Sequence, residues 1–394
     1  MPAMPDVLIF GDTLRHAELR HELPLAVPDP FLYAEAGGQR HAVVSSIERS
    51  RVAAVDGALR VHTVEEYGYD ELVLAGTGRA EAQLEAAVRA CHALGLERAA
   101  VPPDFPIDLA DRVRAAGIEL VVDRRLFETR RRVKTAAELA GIRRAQAAAE
   151  AGMRAAAKLL RAAEAGGGGG GNGGGGRGGD GLFADGEPLT CERLREVIEE
   201  AVARAGASPG DELIVSHGAQ IASGHEFGSG PISAGEPVVI DLWPRDRESA
   251  CFADMTRTFV VGEVPEELRR YHELTRESLA RSLAAVRAGA SGQEIFRLSC
   301  EPYEKAGLPT LLSKQPGTVL EEGFFHSLGH GVGLEVHEAP TLGRAPDVLV
   351  AGDVITLEPG CYRPGFGGCR LEDLAVVTED GAQLLTDFPY GLEP

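Results

Sequence analysis

The sequence predicts an α+β region preceded by a smaller α/β region, and three observations carry that reading. From Val7 to about Val122, short β-like runs alternate with helical stretches. After Gly210 the chain becomes strand-rich, with helices interrupting the strands. The residues able to do chemistry gather in that second part. A length of 394 residues exceeds one small core, and at roughly 100–200 residues per domain it predicts two or three domains.

In the first part the β-like runs are VLIF, FLYAEAGGQRHAVVSS with a turn at Gly37-Gly38, DELVLAG, AAVPP and IELVVD. Helices are expected from about Ala80 to Leu94 and around Leu109 to Ala116. No nucleophile, metal cluster or phosphate loop is legible there, so this part is expected to act as scaffold, entrance wall or oligomer contact. The basic residues Arg124, Arg125, Arg130, Arg131, Arg132 and Lys134 lie between periodic segments and read as a solvated connector.

A helix begins at Thr135. Thr135 and Glu138 have capping-box spacing, and Leu139, Ile142, Gln146, Ala149, Met153, Ala156 and Leu160 recur at intervals that line one face. The domain boundary is expected just before it, giving domains 1–133 and 134–394. From Gly166 to Gly179 twelve of fourteen residues are Gly, which cannot bury apolar area, so 166–181 is expected to be a flexible surface loop. Another helix is predicted from about Glu192 to Ala205, followed by strands LIV (213–215), PVVID (237–241), DMTRTFVV (254–261), VITLEP (354–359) and RLEDLAVV (370–377). Two helices, near Glu266 to Ala288 and Gly292 to Ala306, separate them.

A net charge of −20 repels phosphate backbones and anionic lipid, so neither nucleic acid nor membrane is expected as a partner. The apolar run Val7 to Phe10 is far shorter than a signal-peptide core, and no stretch of about 20 apolar residues occurs. Six cysteines without a CxxC pair fit a reduced, cytoplasmic setting.

Asp241 closes an apolar run, where an ionised carboxylate is costly unless something pairs with it. Asp254 opens the next strand, and a hairpin between the two would set their carboxylates side by side, an arrangement that calls for a cation. Glu358 ends VITLEP in the same way, and strand alternation puts Arg370 and Glu372 on one face. The segment FFHSLGHGVGLEVHEAP carries His326, His330 and His337 among glycines that permit close backbone approach. Four carboxylates and one imidazole, with no thiolate, suit two hard divalent cations that activate water and polarise a carbonyl. The chemistry so implied is hydrolysis of an amide or ester.

These residues resemble the pita-bread metallopeptidases. Asp241, DMTRTF with Asp254, GHGVGLEVHE with His330, TLEPG with Glu358 and RLED with Glu372 are similar to that family's five metal-ligand motifs. His225 in SGHE, His326, His337 and Arg370 are similar to the residues of its Xaa-Pro branch. The resemblance covers about Arg132 to the C-terminus, and the preceding part looks like the family's creatinase-type N-terminal domain.

The resemblance implies a pita-bread catalytic domain, a homodimer or homotetramer, and two divalent ions, manganese first, with cobalt, zinc or iron as alternatives. It implies an Xaa-Pro aminopeptidase or dipeptidase acting on short proline-containing peptides through a hydroxide that bridges the metals. Asp241 would hold one metal, Asp254 and Glu372 would bridge, and His330 and Glu358 would hold the second. Glu358 would relay the proton, His225 and His337 would orient substrate or its oxyanion, and His326 and Arg370 would contact substrate. Three features depart from the family pattern: a gap of 13 between Asp241 and Asp254 with WPRDRES between them, Glu226 after His225, and the polyglycine run. A methionine aminopeptidase, a non-peptide amide hydrolase and a non-catalytic scaffold are the alternatives.

Overall fold

The computed structural model describes residues 5–166, 181–210 and 212–394. Most of the glycine run, and the expectation of a flexible loop that falls on it, lie outside the described residues. The flanks are joined: the Gly166 N–H donates to the Gly181 carbonyl at 2.9 Å, beside the antiparallel pairing of Glu164–Ala165 with Leu182–Ala184. Two compact units divide the chain, Met1–Arg131 and Arg132–Pro394.

The first unit is built on a six-stranded sheet. Asp6–Gly11 lies between the antiparallel Phe31–Ala36 and the parallel Arg98–Val101, with Gln39–Val44, Arg60–Thr63 and Glu119–Val122 completing it. Alternate side chains of the Asp6–Gly11 strand enter different cores: Leu8 and Phe10 on one face, Val7 and Ile9 on the other.

DELVLAG, read as β-like, lies mostly within the helix Tyr69–Leu74, none of whose residues is buried. So short an apolar run has no decisive period, and Asp70 and Glu71 favour the start of a helix. The basic run is likewise not a solvated connector. Arg124–Arg132 is a helix, in which Arg130 donates to Glu22 at 2.8 Å and also bonds Glu35.

In the second unit, the helix Ala136–Arg161 starts with the expected box. Thr135 Oγ1 accepts from the Glu138 N–H at 3.2 Å, and the Glu138 carboxylate accepts from the Thr135 N–H at 2.8 Å. Its buried face includes Ile142, Ala149, Met153, Ala156 and Leu160 and packs on the helix Cys191–Arg204. Gly152 permits that approach, since a Cβ there would lie 3.0 Å from Val202 and 3.1 Å from Ile198.

The site is carried by two antiparallel sheets and a hairpin. Ile214–His217, Pro237–Leu242 and Met255–Val260 form one sheet in that order. Glu338–Leu342, Gly329–Gly331, Val354–Leu357, Asp373–Val377 and Ala382–Leu384 form the other. The hairpin pairs Gly360–Arg363 with Gly367–Arg370. All six cysteines are buried free thiols. No helix among the described residues is long and apolar enough to cross a membrane.

Candidate metal centre

Strand register brings the acidic residues to one face. Asp241 is opposed by Thr256, and Asp254 lies two residues before Thr256, so all three side chains point the same way. Across the gap, the Thr256 hydroxyl donates to Glu372 Oε2 at 2.8 Å, and the Glu372 N–H donates to the Thr256 carbonyl at 3.1 Å. His330 is delivered by close backbone contact. A Cβ at Gly329 would lie 2.1 Å from the Thr356 carbonyl oxygen, and the His330 N–H donates to the Thr356 hydroxyl at 3.2 Å.

Asp254, His330 and Glu372 each bring one ligand atom to within 4.8 Å of the others. His330 Nε2 also faces Asp254 Oδ2 at 3.8 Å and Glu358 Oε1 at 3.6 Å. Glu358 Oε2 faces His326 Nδ1 at 4.0 Å. Asp241 stands beside this group, with Oδ2 bonded to Arg370.

Asp241 Oδ1 and Asp254 Oδ1 are buried and have no hydrogen-bond partner. A buried carboxylate oxygen without a donor is costly. Burial, then Glu372, Asp241 and Glu358, push the Asp254 carboxyl well above its usual range, and burial with its acidic neighbours does the same to Glu372. Burial likewise raises Glu358 to about 8, with Arg370 opposing and Asp241 adding. Burial depresses His330 to about 4, helped by His337, so its imidazole is neutral and able to ligate. Its Nδ1 lies 3.1 Å from the Gly331 carbonyl, which leaves Nε2 bare toward the carboxylates. Hard oxygens, one bare imidazole nitrogen and two orphaned carboxylate oxygens together fit divalent cations.

Arg370 is 5% exposed and is committed within the protein. It donates to Asp241, to the Thr256 hydroxyl at 3.2 Å and to the Tyr362 hydroxyl at 3.3 Å. The Tyr362 hydroxyl lies 2.9 Å from His326 Nε2, and His326 Nδ1 lies 2.8 Å from the Ser327 carbonyl. Burial and then Arg370 depress His326 to about 3. The consistent protonation is therefore Arg370 to Tyr362 to His326 Nε2, with His326 Nδ1–H donating to Ser327.

His225 and His337 are exposed, and the His337 ring lies 4.2 Å from that of His330. His225 is near enough for its charge to depress both His326 and His337, in each case after burial. Tyr362 escaped the sequence reading. Its signal was the hairpin register, which pairs Tyr362 with Gly368 and Gly360 with Arg370, so Tyr362 and Arg370 share a face.

Set beside known proteins, residues 140–379, more than half of the chain, match the model of metallopeptidase family M24. A Xaa-Pro dipeptidase of Pyrococcus furiosus is 36% identical over 201 residues, 50% of this chain and 54% of that protein. A probable dipeptidase PepE of Mycobacterium tuberculosis is 31% identical over 197 residues, covering 50% of this chain and 49% of its own. The chain thus spans about half the length of the curated relatives it matches. Among solved structures, a Xaa-Pro dipeptidase from Bacillus anthracis superposes with a TM-score of 0.76 at 21% identity, covering 98% of this chain and 94% of that one. An X-Pro aminopeptidase from Thermotoga maritima gives 0.75 at 20%, covering 98% and 96%. The likeness is one of fold, the pita-bread arrangement with its N-terminal α/β domain.

Proposed function

The chain belongs to metallopeptidase family M24, and on that premise we propose that it is a metal-dependent exopeptidase cleaving the N-terminal Xaa-Pro bond of short peptides. The observation that carries this reading is the convergence of Asp254, His330 and Glu372 beside two orphaned oxygens, Asp241 Oδ1 and Asp254 Oδ1. The Xaa-Pro substrate class is taken from the Xaa-Pro dipeptidase and X-Pro aminopeptidase relatives. Asp241 would hold one divalent cation, Asp254 and Glu372 would bridge, and His330 and Glu358 would hold the second. Manganese is the proposed ion, with cobalt, zinc or iron as alternatives. Such a pair polarises the scissile carbonyl and makes water acidic enough to ionise near neutral pH.

The chain's own residues divide the remaining work. Glu358, whose Oε2 is turned to His326, would take the proton of the attacking water and pass it to the departing proline nitrogen. His225 and His337, both exposed, with the His337 ring against that of His330, would offer N–H groups to the developing oxyanion. His326 has both nitrogens engaged, so it would meet substrate with its ring. Arg370, held by Asp241, Thr256 and Tyr362, would contact substrate with the N–H groups that those bonds leave. A homodimer or homotetramer in the cytoplasm belongs to the same reading.

The test compares kcat/KM for Ala-Pro, Ala-Pro-Ala, Ala-Ala and Met-Ala-Ser on manganese-loaded protein. Ala-Pro or Ala-Pro-Ala should be cleaved fastest, and the order of those two separates dipeptidase from aminopeptidase. Preference for Met-Ala-Ser would move the assignment to a methionine aminopeptidase. Inertness toward all four with metal bound would point to a non-peptide amide or a scaffold.

A further inference from the structure

A second buried arginine stands behind the carboxylates, with no part in the chemistry above. Arg257 is 0% exposed and lies on the Met255–Val260 strand, opposite Ile240, so its side chain leaves the face that carries Thr256 and Asp254. A cation buried this deeply is tolerated only when every donor is answered. All five of its N–H groups have acceptors. Nη1 donates to the Thr256 carbonyl at 2.9 Å and the Glu372 carbonyl at 2.8 Å. Nη2 donates to Asp373 Oδ1 and to the Phe388 carbonyl, both at 2.9 Å, and Nε donates to the Pro389 carbonyl at 2.9 Å. The Tyr390 ring covers the guanidinium carbon at 4.7 Å, while its hydroxyl donates to Asp373 Oδ2 at 2.5 Å.

The same C-terminal segment is tied down elsewhere. The Leu392 carbonyl accepts from the Val260 N–H at 2.7 Å, and His272 Nε2 lies 2.6 Å from the Tyr390 carbonyl. One planar fork therefore fixes three chain segments: the Asp254 strand, the backbone at Glu372, and residues 388–390. Because Nη1 binds both the Thr256 and the Glu372 carbonyls, it reinforces the direct bonds of 3.1 and 2.8 Å that already join those two residues.

We infer that Arg257 is a positioning residue for the metal centre, and that the C-terminal segment 388–392 forms the outer wall of its clamp. Metal affinity then depends on a tail that supplies none of the proposed ligands. A lysine keeps the charge but has one nitrogen, which cannot span acceptors on three segments. This inference rests on the metal reading of the site, and the experiment separates the two.

Arg257→Lys and Tyr390→Phe are made in the full chain. Melting of the metal-free protein, manganese affinity by titration calorimetry, and kcat and KM for Ala-Pro at saturating manganese are measured. Tyr390→Phe should fold, bind manganese about tenfold more weakly, and recover kcat with KM unchanged at saturating metal. Arg257→Lys should lose affinity by up to about 100-fold. If Arg257→Lys does not fold, Tyr390→Phe decides, because it leaves the guanidinium in place. Variants that melt lower but bind manganese like the parent would overturn the inference and leave the metal reading standing. A parent that binds no manganese would overturn the metal reading and the inference with it.

Discussion

At the scale of single residues, the governing fact is the concentration of carboxylates in a buried space. Without cations, Asp241, Asp254, Glu358 and Glu372 repel one another, and Arg370 answers Asp241 directly. Removing one charge should therefore stabilise the metal-free protein even as it destroys the site. Asp254→Asn is expected to raise the melting temperature of the metal-free chain, by on the order of 1 kcal/mol, while abolishing manganese binding. A lower melting temperature would mean that Asp254 has a donor the orphaned Oδ1 does not reveal.

The proposed ligands stood out because a charged residue ending an apolar run is an anomaly with few physical remedies. Tyr362 and Arg257 did not, because their meaning lies in partners far away in sequence: Arg257 reaches Asp373 and residues 388–390. A tyrosine or arginine inside a strand carries no such mark.

At the scale of elements, the long helix Ala136–Arg161 was readable from its cap and period, and Gly329 from the need for close approach. The helices at Tyr69–Leu74 and Arg124–Arg132 were missed because local composition does not report which charges will find partners. WPRDRES fills the long gap between Asp241 and Asp254. Its residues are anchored: Arg245–Asp246 pairs with Ala207–Ser208, and Arg144 grips Asp246 with two bonds of 2.9 and 2.8 Å.

The loop carrying His225 is anchored as well. His217 Nδ1 lies 2.8 Å from Glu236 Oε2 and its Nε2 lies 3.2 Å from the Ser229 carbonyl, which Gln220 also bonds. The Glu236 bond raises the His217 pKa above 6.5, and the His217 bond lowers the Glu236 pKa below 4.5. A raised histidine stabilises fully below its unfolded value, and a lowered glutamate stabilises fully above its own. The pair is therefore at full strength between pH 4.5 and 6.5. It fades as pH rises through the folded His217 pKa or falls through the folded Glu236 pKa. With Glu236 37% exposed, the contribution should not exceed about 1 kcal/mol. The melting difference between the parent and Glu236→Gln should be largest in that window and shrink above it. A difference flat from pH 4 to 9 would contradict the assignment.

At the scale of the whole molecule, every proposed ligand lies in the 132–394 unit, which has its own apolar cores. Among the described residues, the two apolar clusters of the first unit are built from residues before 132. Residues 132–394 expressed alone should therefore melt cooperatively and bind manganese with the stoichiometry of the full chain. Failure to fold would show that the second unit depends on the first for its stability. Fold class could be read from one sequence because it is written in short motifs and periodic runs, and the proposed ligand set rests on motifs of the same kind. The pairing of distant segments is decided by packing that no single stretch encodes.

On the proposed function, five side chains hold a pair of divalent cations on which hydrolysis depends. The most direct measurement is metal content per chain after manganese loading and dialysis, on the parent and on Glu372→Gln, with Ala-Pro hydrolysis followed in the same samples. The parent should carry about two ions and cleave, and Glu372→Gln should retain neither the pair nor the activity. A parent that cleaves Ala-Pro with no bound metal, or a Glu372→Gln variant that keeps both ions and full rate, would contradict it.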